Sequence, residues 1–188
     1  MPSTNIDVNF DNSYSRLPKN FFEKINPESV KDPKLIVFNH DLGNKLGIEN
    51  TGSKETLSKV FSGNLLPDGS EPIALAYAGH QFGNFVPQLG DGRALLIGEI
   101  INQEQERFDI QLKGSGKKKF SRQGDGKSAL GPVIREYILS EAMHSLKVPT
   151  TRALAAVTTG EDVFRETRLP GGIPVSYTHL TLPTIYSV

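Results

Sequence analysis

The sequence predicts an α+β fold, in which a twisted antiparallel sheet is followed by one long helix. Residues 94–101 form an apolar run of strand length, and residues 107–113 alternate between polar and apolar side chains. Five polar residues separate the two segments, so we expect them to pair as a β-hairpin. Over residues 128–146 the period becomes helical, and residues 153–157 form a further buried strand. The apolar stripe of the helix consists of Leu130, Val133, Ile134, Tyr137, Ile138, Ala142 and Leu146.

The composition excludes several classes of protein. The 188 residues include 21 Lys and Arg and 21 Asp and Glu, so the formal net charge is zero and nucleic acid is an unfavoured partner. There is no cysteine, which excludes disulfide scaffolds and thiolate metal sites, and the four histidines are scattered without metal-ligand spacing. Neither a signal peptide nor a membrane-spanning apolar run is found, so we expect a cytoplasmic protein with no membrane partner.

Changes in local pattern divide the chain into three regions. Residues 1–72 are predicted to be an N-terminal extension with short helices. One helix is capped at Asn39 or Asp41 and ends at Gly47, and a second covers residues 53–61. A connector rich in proline and glycine ends this region, and residues 73–170 form the main lobe.

The third region, residues 171–188, belongs to an end of the chain with an unusual composition. From residue 169 onward there is no Asp, Glu, Lys or Arg, although charge is spread evenly before that point. One interpretation is a buried strand pair interrupted by Pro183. We favour another, because VSYTHLTLP resembles the translated adaptor sequence found at the ends of metagenome-derived reading frames. The chain is therefore expected to be truncated, with a non-native tail from about residue 175.

The main lobe places a glycine turn, a lysine and a helix carboxylate in a definite order. The stretch LGDGRALLIGE begins at residue 89 with a glycine turn that, taken alone, favours a tight connection over a phosphate contact. It is followed by a strand, a second strand that ends at Lys113, and the predicted helix. A protein-kinase small lobe has the same order, in which the lysine binds phosphate and a carboxylate positions the lysine. From the residues alone Lys113 is equally an ordinary strand-end lysine, and Glu136 and Glu141 are both candidates for its partner.

A glycine-flanked basic loop covers residues 113–127. It has six basic residues and one acidic residue. It is interpreted as a flexible loop that wraps polyphosphate, as a solvated surface loop, or as a nucleic-acid patch, for which only Phe120 offers a stacking side chain. Gly126-Lys127-Ser128 is not part of a Walker A motif, because Ser121 stands where that motif needs glycine.

Longer motifs carry a family resemblance. These motifs are AGHQFGNFVPQLGDGRALLIGE, QLKGSG, SRQGDGKSALGPVIREYILSEAMHSLKVPTTRALAAV and VFRE. Together they closely resemble the selenoprotein O (SelO) family, and the similarity covers nearly all of residues 9–170. It is much more specific than any single glycine pattern.

The resemblance implies a kinase-like fold that works as a protein adenylyltransferase. Family members bind ATP in an orientation inverted relative to ordinary kinases and transfer AMP to Ser, Thr or Tyr hydroxyls of proteins. Residues 73–170 would then be the kinase-like nucleotide-binding lobe, and Glu136 would be the helix partner of Lys113. Matching motif positions implies that the ATP contacts are Gly90, Gly92, Arg93, Lys113, Asp125 and Gly126.

Other parts of the family pattern are absent from the sequence. Lys117-Lys118-Lys119 stands where relatives carry a less basic stretch ending in proline. The family's two phosphate-binding arginines, its catalytic aspartate and the Asn and Asp that bind Mg²⁺ would lie beyond residue 174. We therefore expect no catalytic residue and no metal ligand in this chain, a missing large lobe, and an inactive fragment of an active transferase. The alternatives are a protein kinase and a module that binds anionic partners through residues 113–127.

Overall fold

The computed structural model describes residues 6–48, 53–90, 92–121 and 124–179, which form a mixed α/β structure. The strands within these residues are β1 (Phe22–Lys24), β2 (Lys34–Phe38), β3 (Ile73–Leu75), β4 (Gly79–Gln81), β5 (Asn84–Val86), β6 (Ala94–Ile101), β7 (Arg107–Lys113), β8 (Arg152–Phe164) and β9 (Arg168–His179). The helices are α1 (His40–Lys45), α2 (Lys54–Ser62) and α3 (Leu130–Ser145). Within the described residues, seven strands form one antiparallel sheet in the order β1-β3-β6-β7-β9-β8-β2, and β4 and β5 form a second, two-stranded sheet.

The predicted hairpin of β6 and β7 is confirmed. Ala94 lies opposite Lys113 and Ile101 lies opposite Arg107. Leu95 and Leu96, on opposite faces of β6, are both buried, and so is Phe108 of β7, so the hairpin is covered on both sides. This register places the start of β6, directly after the glycine turn, beside the lysine at the end of β7.

The predicted short helices are also confirmed, and each has a polar N-cap. The Asn39 side chain accepts a hydrogen bond from Leu42 N at the start of α1. At the start of α2, the Ser53 side chain accepts one from Thr56 N, and Gly63 ends the helix in a left-handed conformation with φ 83°. Both helices contribute apolar side chains to the main core on the sheet, and these are Leu42, Leu46, Leu57, Val60 and Phe61.

Helix α3 forms where the helical period predicts it, but the C-terminal part of its apolar stripe is exposed. Val133 is the buried residue of this helix, and Leu130 packs against Gly172 of β9. By contrast, Ile138 is 59% exposed and Leu146, just after the helix, is 73% exposed. The first turns of α3 therefore hold it on the sheet, while the apolar side chains further along face away from it.

The predicted N-terminal extension supplies both edge strands of the sheet. β1 pairs with β3 at one edge, and β2 pairs with β8 at the other. Ahead of β1, Ser13 Oγ and Tyr14 N each donate to the buried Glu99 carboxylate at 2.6 Å. No helix or strand occupies residues 63–72, in agreement with the predicted connector, and the domain boundaries stay predictions.

Strand β9 lies in the middle of the sheet, between β7 and β8, and crosses residue 175 without a break. Val175 and Tyr177 are buried, and the Tyr177 ring meets the Phe108 ring edge-on at a centroid distance of 4.9 Å. Residues 180–188, which include Pro183, lie outside the described residues. The non-native tail stays a prediction.

Among the described residues, we find no helix with the length and apolarity that crossing a membrane requires.

Candidate functional site

A cleft of about 760 Å³ lies where the glycine turn, the end of β7, the basic loop and the end of β8 meet. The six side chains or glycines predicted to contact ATP all line it: Gly90, Gly92, Arg93, Lys113, Asp125 and Gly126. The remaining lining residues include Tyr77, Leu89, Phe120, Lys127 and Arg165. Residues separated by up to 88 positions in the sequence are thus brought to one cleft.

The turn before β6 depends on glycine at two positions. Gly90 and Gly92 both have φ 64°, which is the left-handed region that side chains disfavour. A Cβ on Gly90 would also lie 2.6 Å from the Phe120 Cβ. Gly92 O accepts a hydrogen bond from Ser121 Oγ, so the turn and the basic loop are joined directly. Asp91 lies outside the described residues.

Lys113 lines the cleft and pairs with a carboxylate of helix α3. Its Nζ lies 2.8 Å from Glu136 Oε2, and the two side chains are 35% and 37% exposed. The backbone continues the β6–β7 pairing past this residue, because Gly114 N donates to Arg93 O at 3.0 Å. The cation at the end of β7 is therefore held at the cleft with part of its surface accessible to a ligand.

Glu141, the other candidate partner of Lys113, belongs to a different cluster. Its carboxylate accepts hydrogen bonds from Arg152 Nε and Nη2, both at 2.7 Å, and from Asn39 Nδ2 and Ala153 N. Burial disfavours the charged carboxylate, but the Arg152 and Ala153 hydrogen bonds outweigh it, so the pKa of Glu141 is lowered. This cluster joins α3 to β8 and to the cap of α1, away from the cleft.

The cations of the basic loop do not form one exposed patch. Lys118 is only 3% exposed and donates to Ser115 O at 2.7 Å, and burial lowers its pKa. Lys127 Nζ lies 2.8 Å from Glu161 Oε2, and this hydrogen bond raises the pKa of Lys127. Lys117 and Lys119 are exposed, and Arg122 lies outside the described residues. Burial and pairing thus leave less accessible positive charge than the sequence indicates.

The second glycine turn of the loop is held by Arg165, a residue to which the sequence analysis assigned no role. Its guanidinium contacts both Asp125 carboxylate oxygens, at 3.0 and 3.1 Å, and donates to Lys127 O at 2.9 Å. The Arg165 hydrogen bonds lower the pKa of Asp125. Gly126 has φ 70°, and a Cβ there would lie 2.1 Å from Gly116 O. The one available signal for Arg165 was its place in the VFRE motif.

The described residues do not fit a magnesium site. Across 6–48, 53–90, 92–121 and 124–179, no three His, Asp or Glu side chains are grouped closely enough to hold a metal ion. The carboxylate of Asp125, which lines the cleft, is already paired with Arg165, and the carboxylate of Glu136 is paired with Lys113. We therefore assign no step of the chemistry to a metal held by these residues.

Comparison with known proteins gives one consistent result. The chain is 57% identical over 181 residues to protein nucleotidyltransferase YdiU of Roseobacter denitrificans, and 59% identical over 182 residues to the protein of that name from Pelagibacter ubique. Each alignment covers 95% of this chain but 38% of the relative, so the chain spans well under half the length of these relatives. The family model described as protein adenylyltransferase SelO matches residues 4–177. Because this match covers most of the chain, the chain belongs to the SelO family.

Proposed function

We propose that this chain is the nucleotide-binding part of a protein adenylyltransferase and that its cleft binds ATP. The observation that supports this most directly is the Lys113–Glu136 ion pair, at 2.8 Å, in the cleft lined by all six expected ATP contacts. The antiparallel sheet and α3 serve, in this proposal, as a kinase-like small lobe. The arrangement is suited to polyphosphate because it combines close backbone approach with fixed positive charge.

Each part of the cleft has a distinct role in the proposed binding mode. Gly90 and Gly92 place no Cβ on the turn, so phosphate oxygens can approach its backbone closely. Arg93 and Lys113 add positive charge, and Glu136 fixes the position of the lysine ammonium. Such charges stabilise a polyphosphate most when they are held in place before it arrives.

In the longer protein, the proposed reaction is AMP transfer to a Ser, Thr or Tyr hydroxyl. The hydroxyl oxygen forms a bond to the α-phosphorus of ATP, the bond from that phosphorus to the bridging oxygen breaks, and pyrophosphate leaves. The hydroxyl proton passes to a base outside this chain. Because the described residues supply neither such a base nor a magnesium site, we propose that the chain binds ATP but does not transfer AMP by itself.

A protein kinase is the first alternative, and the two reactions differ in the phosphorus atom attacked. With a protein of the relatives' full length, label from α-³²P-ATP on protein substrate supports adenylylation. Protein that is labelled by γ-³²P-ATP and not by α-³²P-ATP would show that the reaction is phosphorylation and would contradict the proposed adenylylation.

A module for anionic partners is the second alternative, and the engagement of the loop cations disfavours it. Lys118 is buried and Lys127 is paired with Glu161, so neither is available to a large anion without rearrangement. Oligonucleotide affinity that falls steeply with salt would support this alternative over the nucleotide site.

The binding step is tested by calorimetry on this chain with ATP. We expect measurable binding, and a loss of roughly tenfold or more in affinity for Lys113→Met. Lys34→Met is a matched control, because Lys34 is an exposed strand lysine paired with Asp32, and we expect it to bind ATP as the parent does. Equal affinities of parent and Lys113→Met would contradict the proposed role of Lys113.

A further inference from the structure

We propose that Arg165 is a positioning residue for the nucleotide site, acting through Asp125. This inference rests on the proposed function, because it concerns how the second glycine turn, residues 124–127, is presented to ATP. Arg165 follows the last residue of β8 and lines the cleft. Its role is to hold this turn and to cancel the charge of the Asp125 carboxylate.

The geometry of the contact is that of a specific clamp. Two guanidinium nitrogens lie 3.0 and 3.1 Å from the two carboxylate oxygens of Asp125, the bidentate arrangement for which arginine is suited. A third hydrogen bond, 2.9 Å long, binds Lys127 O on the other side of Gly126. Asp125 in turn accepts from Lys127 N at 2.9 Å. The turn is thus tied to the end of β8 on both sides of its glycine.

The electrostatic reason for this clamp comes from the sign of the charge on Asp125. A polyphosphate is repelled by an unpaired carboxylate on the wall of its own site, and solvent reduces this repulsion because the Asp125 side chain is 40% exposed. Arg165 compensates that negative charge. Asp125 can then shape the turn through its bond to Lys127 N while the net charge of the wall stays favourable to phosphate.

The hairpin formed by β8 and β9 contains a second arginine that serves as a comparison. Arg168, at the start of β9, lies 3.7 Å from Asp162 of β8, and the two side chains are 69% and 48% exposed. Neither residue lines the cleft. Arg168→Met therefore removes one positive charge from the β8–β9 hairpin without altering the second glycine turn.

The test is a double-mutant cycle on ATP affinity in this chain, with Arg165→Met, Asp125→Asn and the double variant. Arg165→Met is expected to weaken ATP binding roughly tenfold, because it exposes the Asp125 charge. Asp125→Asn supplies the second background of the cycle, because it retains an acceptor for Lys127 N and removes the charge that Arg165 compensates. In the Asp125→Asn background, Arg165→Met should then cost at most a further threefold, approximately.

Three outcomes overturn the inference while leaving ATP binding intact. A tenfold loss from Arg165→Met in both backgrounds means that Arg165 binds phosphate directly, and no loss in either background means that it has no role in the site. Arg168→Met should bind ATP as the parent does. If it loses as much ATP affinity as Arg165→Met, the loss comes from the overall charge of the chain, and the inference is also overturned. Absence of ATP binding by the folded parent would instead contradict the proposed function.

A second measurement does not depend on ATP. Hydrogen exchange of the backbone amides of Gly126 and Lys127 should accelerate in Arg165→Met and not in Arg168→Met, because only the former releases the turn. Unchanged exchange in Arg165→Met would show that the turn does not need the clamp.

Discussion

Helix α3 carries two carboxylates that differ in how completely they are bonded. Glu141 accepts four hydrogen bonds from Arg152, Asn39 and Ala153 N, and its side chain and that of Arg152 are 23% and 13% exposed. Glu136 accepts one from Lys113, and both side chains of that pair are more than one-third exposed. The two residues are five positions apart and point about 140° apart around the helix.

The difference shows how one helix can serve both the fold and the site. The saturated Glu141 cluster joins α3 to β8 and to the cap of α1, so breaking it would leave buried polar groups without partners. The Lys113–Glu136 pair retains exposed surface and hydrogen-bonding capacity on the lysine, which a phosphate ligand could use. We therefore expect substitutions in the Glu141 cluster to lower the free energy of unfolding, and substitutions in the Lys113–Glu136 pair to lower the affinity for ATP.

The largest expected effect is that of Glu141→Gln on stability. This variant leaves Arg152 without its charged partner, and we expect the free energy of unfolding to fall by about 2–3 kcal/mol, less than for a fully buried pair. Urea denaturation measures it. ATP affinity at a temperature where the variant is folded should match the parent. A stability loss similar to that of Glu136→Gln would remove the distinction between the two pairs.

Glu136→Gln is expected to show the opposite pattern. Because the pair is partly exposed, the free energy of unfolding should fall by less than about 1 kcal/mol. ATP affinity should fall by roughly tenfold, since the Lys113 ammonium is no longer held at the cleft. Calorimetry and urea denaturation on the same samples separate the two effects. A large stability loss with unchanged affinity would assign this pair to the fold.

Lys118 sharpens the comparison because it is a buried cation with no carboxylate within ion-pair distance among the described residues. Burial lowers its pKa in the folded state below the ordinary value of 10.5. The unfolded chain therefore binds this proton more tightly, so stability should rise as the pH increases from the folded pKa towards 10.5. Lys118→Met should remove that rise and add about 1 kcal/mol at neutral pH.

Urea denaturation at several values between pH 7 and 10 tests the Lys118 prediction. Lys117→Met is the matched control, because Lys117 is the exposed neighbour in the same loop and should leave the pH dependence unchanged. Equal pH dependence in the parent and in Lys118→Met would contradict the prediction.

The smallest effect is expected for a fully exposed pair. Glu55 and Lys59 lie one turn apart on α2 at 2.6 Å, and their side chains are 74% and 49% exposed. The hydrogen bond from Lys59 lowers the pKa of Glu55, but solvent screens the interaction. Glu55→Gln should leave the denaturation midpoint and ATP affinity unchanged. A clear shift in the midpoint would show that contact distance outweighs burial in this chain.

Elements defined by local pattern were predictable from the sequence. The β6–β7 hairpin, the helices and an N-cap at Asn39 or Asp41 follow from periodicity and capping chemistry, which involve neighbouring residues. The six cleft residues were predicted by family resemblance, and the structure brings them together without testing their ligand. The residue types of the candidate site and the positions of its glycines could therefore be predicted without the structure.

Pairings between distant segments were not predictable in the same way. β9 lies between β7 and β8, and β2 pairs with a strand more than 100 residues later. The periodicity of these segments does not predict which strands they pair with. The clamp of Arg165 on Asp125 and the pair of Lys127 with Glu161 depend on the position of the β8 end. Charge counted along the basic loop consequently overstated the accessible charge.

The sequence by itself determined that a lysine at the end of β7 would lie beside a glycine turn, because hairpin register follows from alternation and loop length. The residue pattern left Glu136 and Glu141 both open as the partner of that lysine, and the family resemblance favoured Glu136 by analogy alone. Only the tertiary structure decided this, since packing of Leu130 and Val133 against the sheet sets the rotation of α3. That rotation directs Glu136 to Lys113 and Glu141 to Arg152, and so separates the candidate site from the support of the fold.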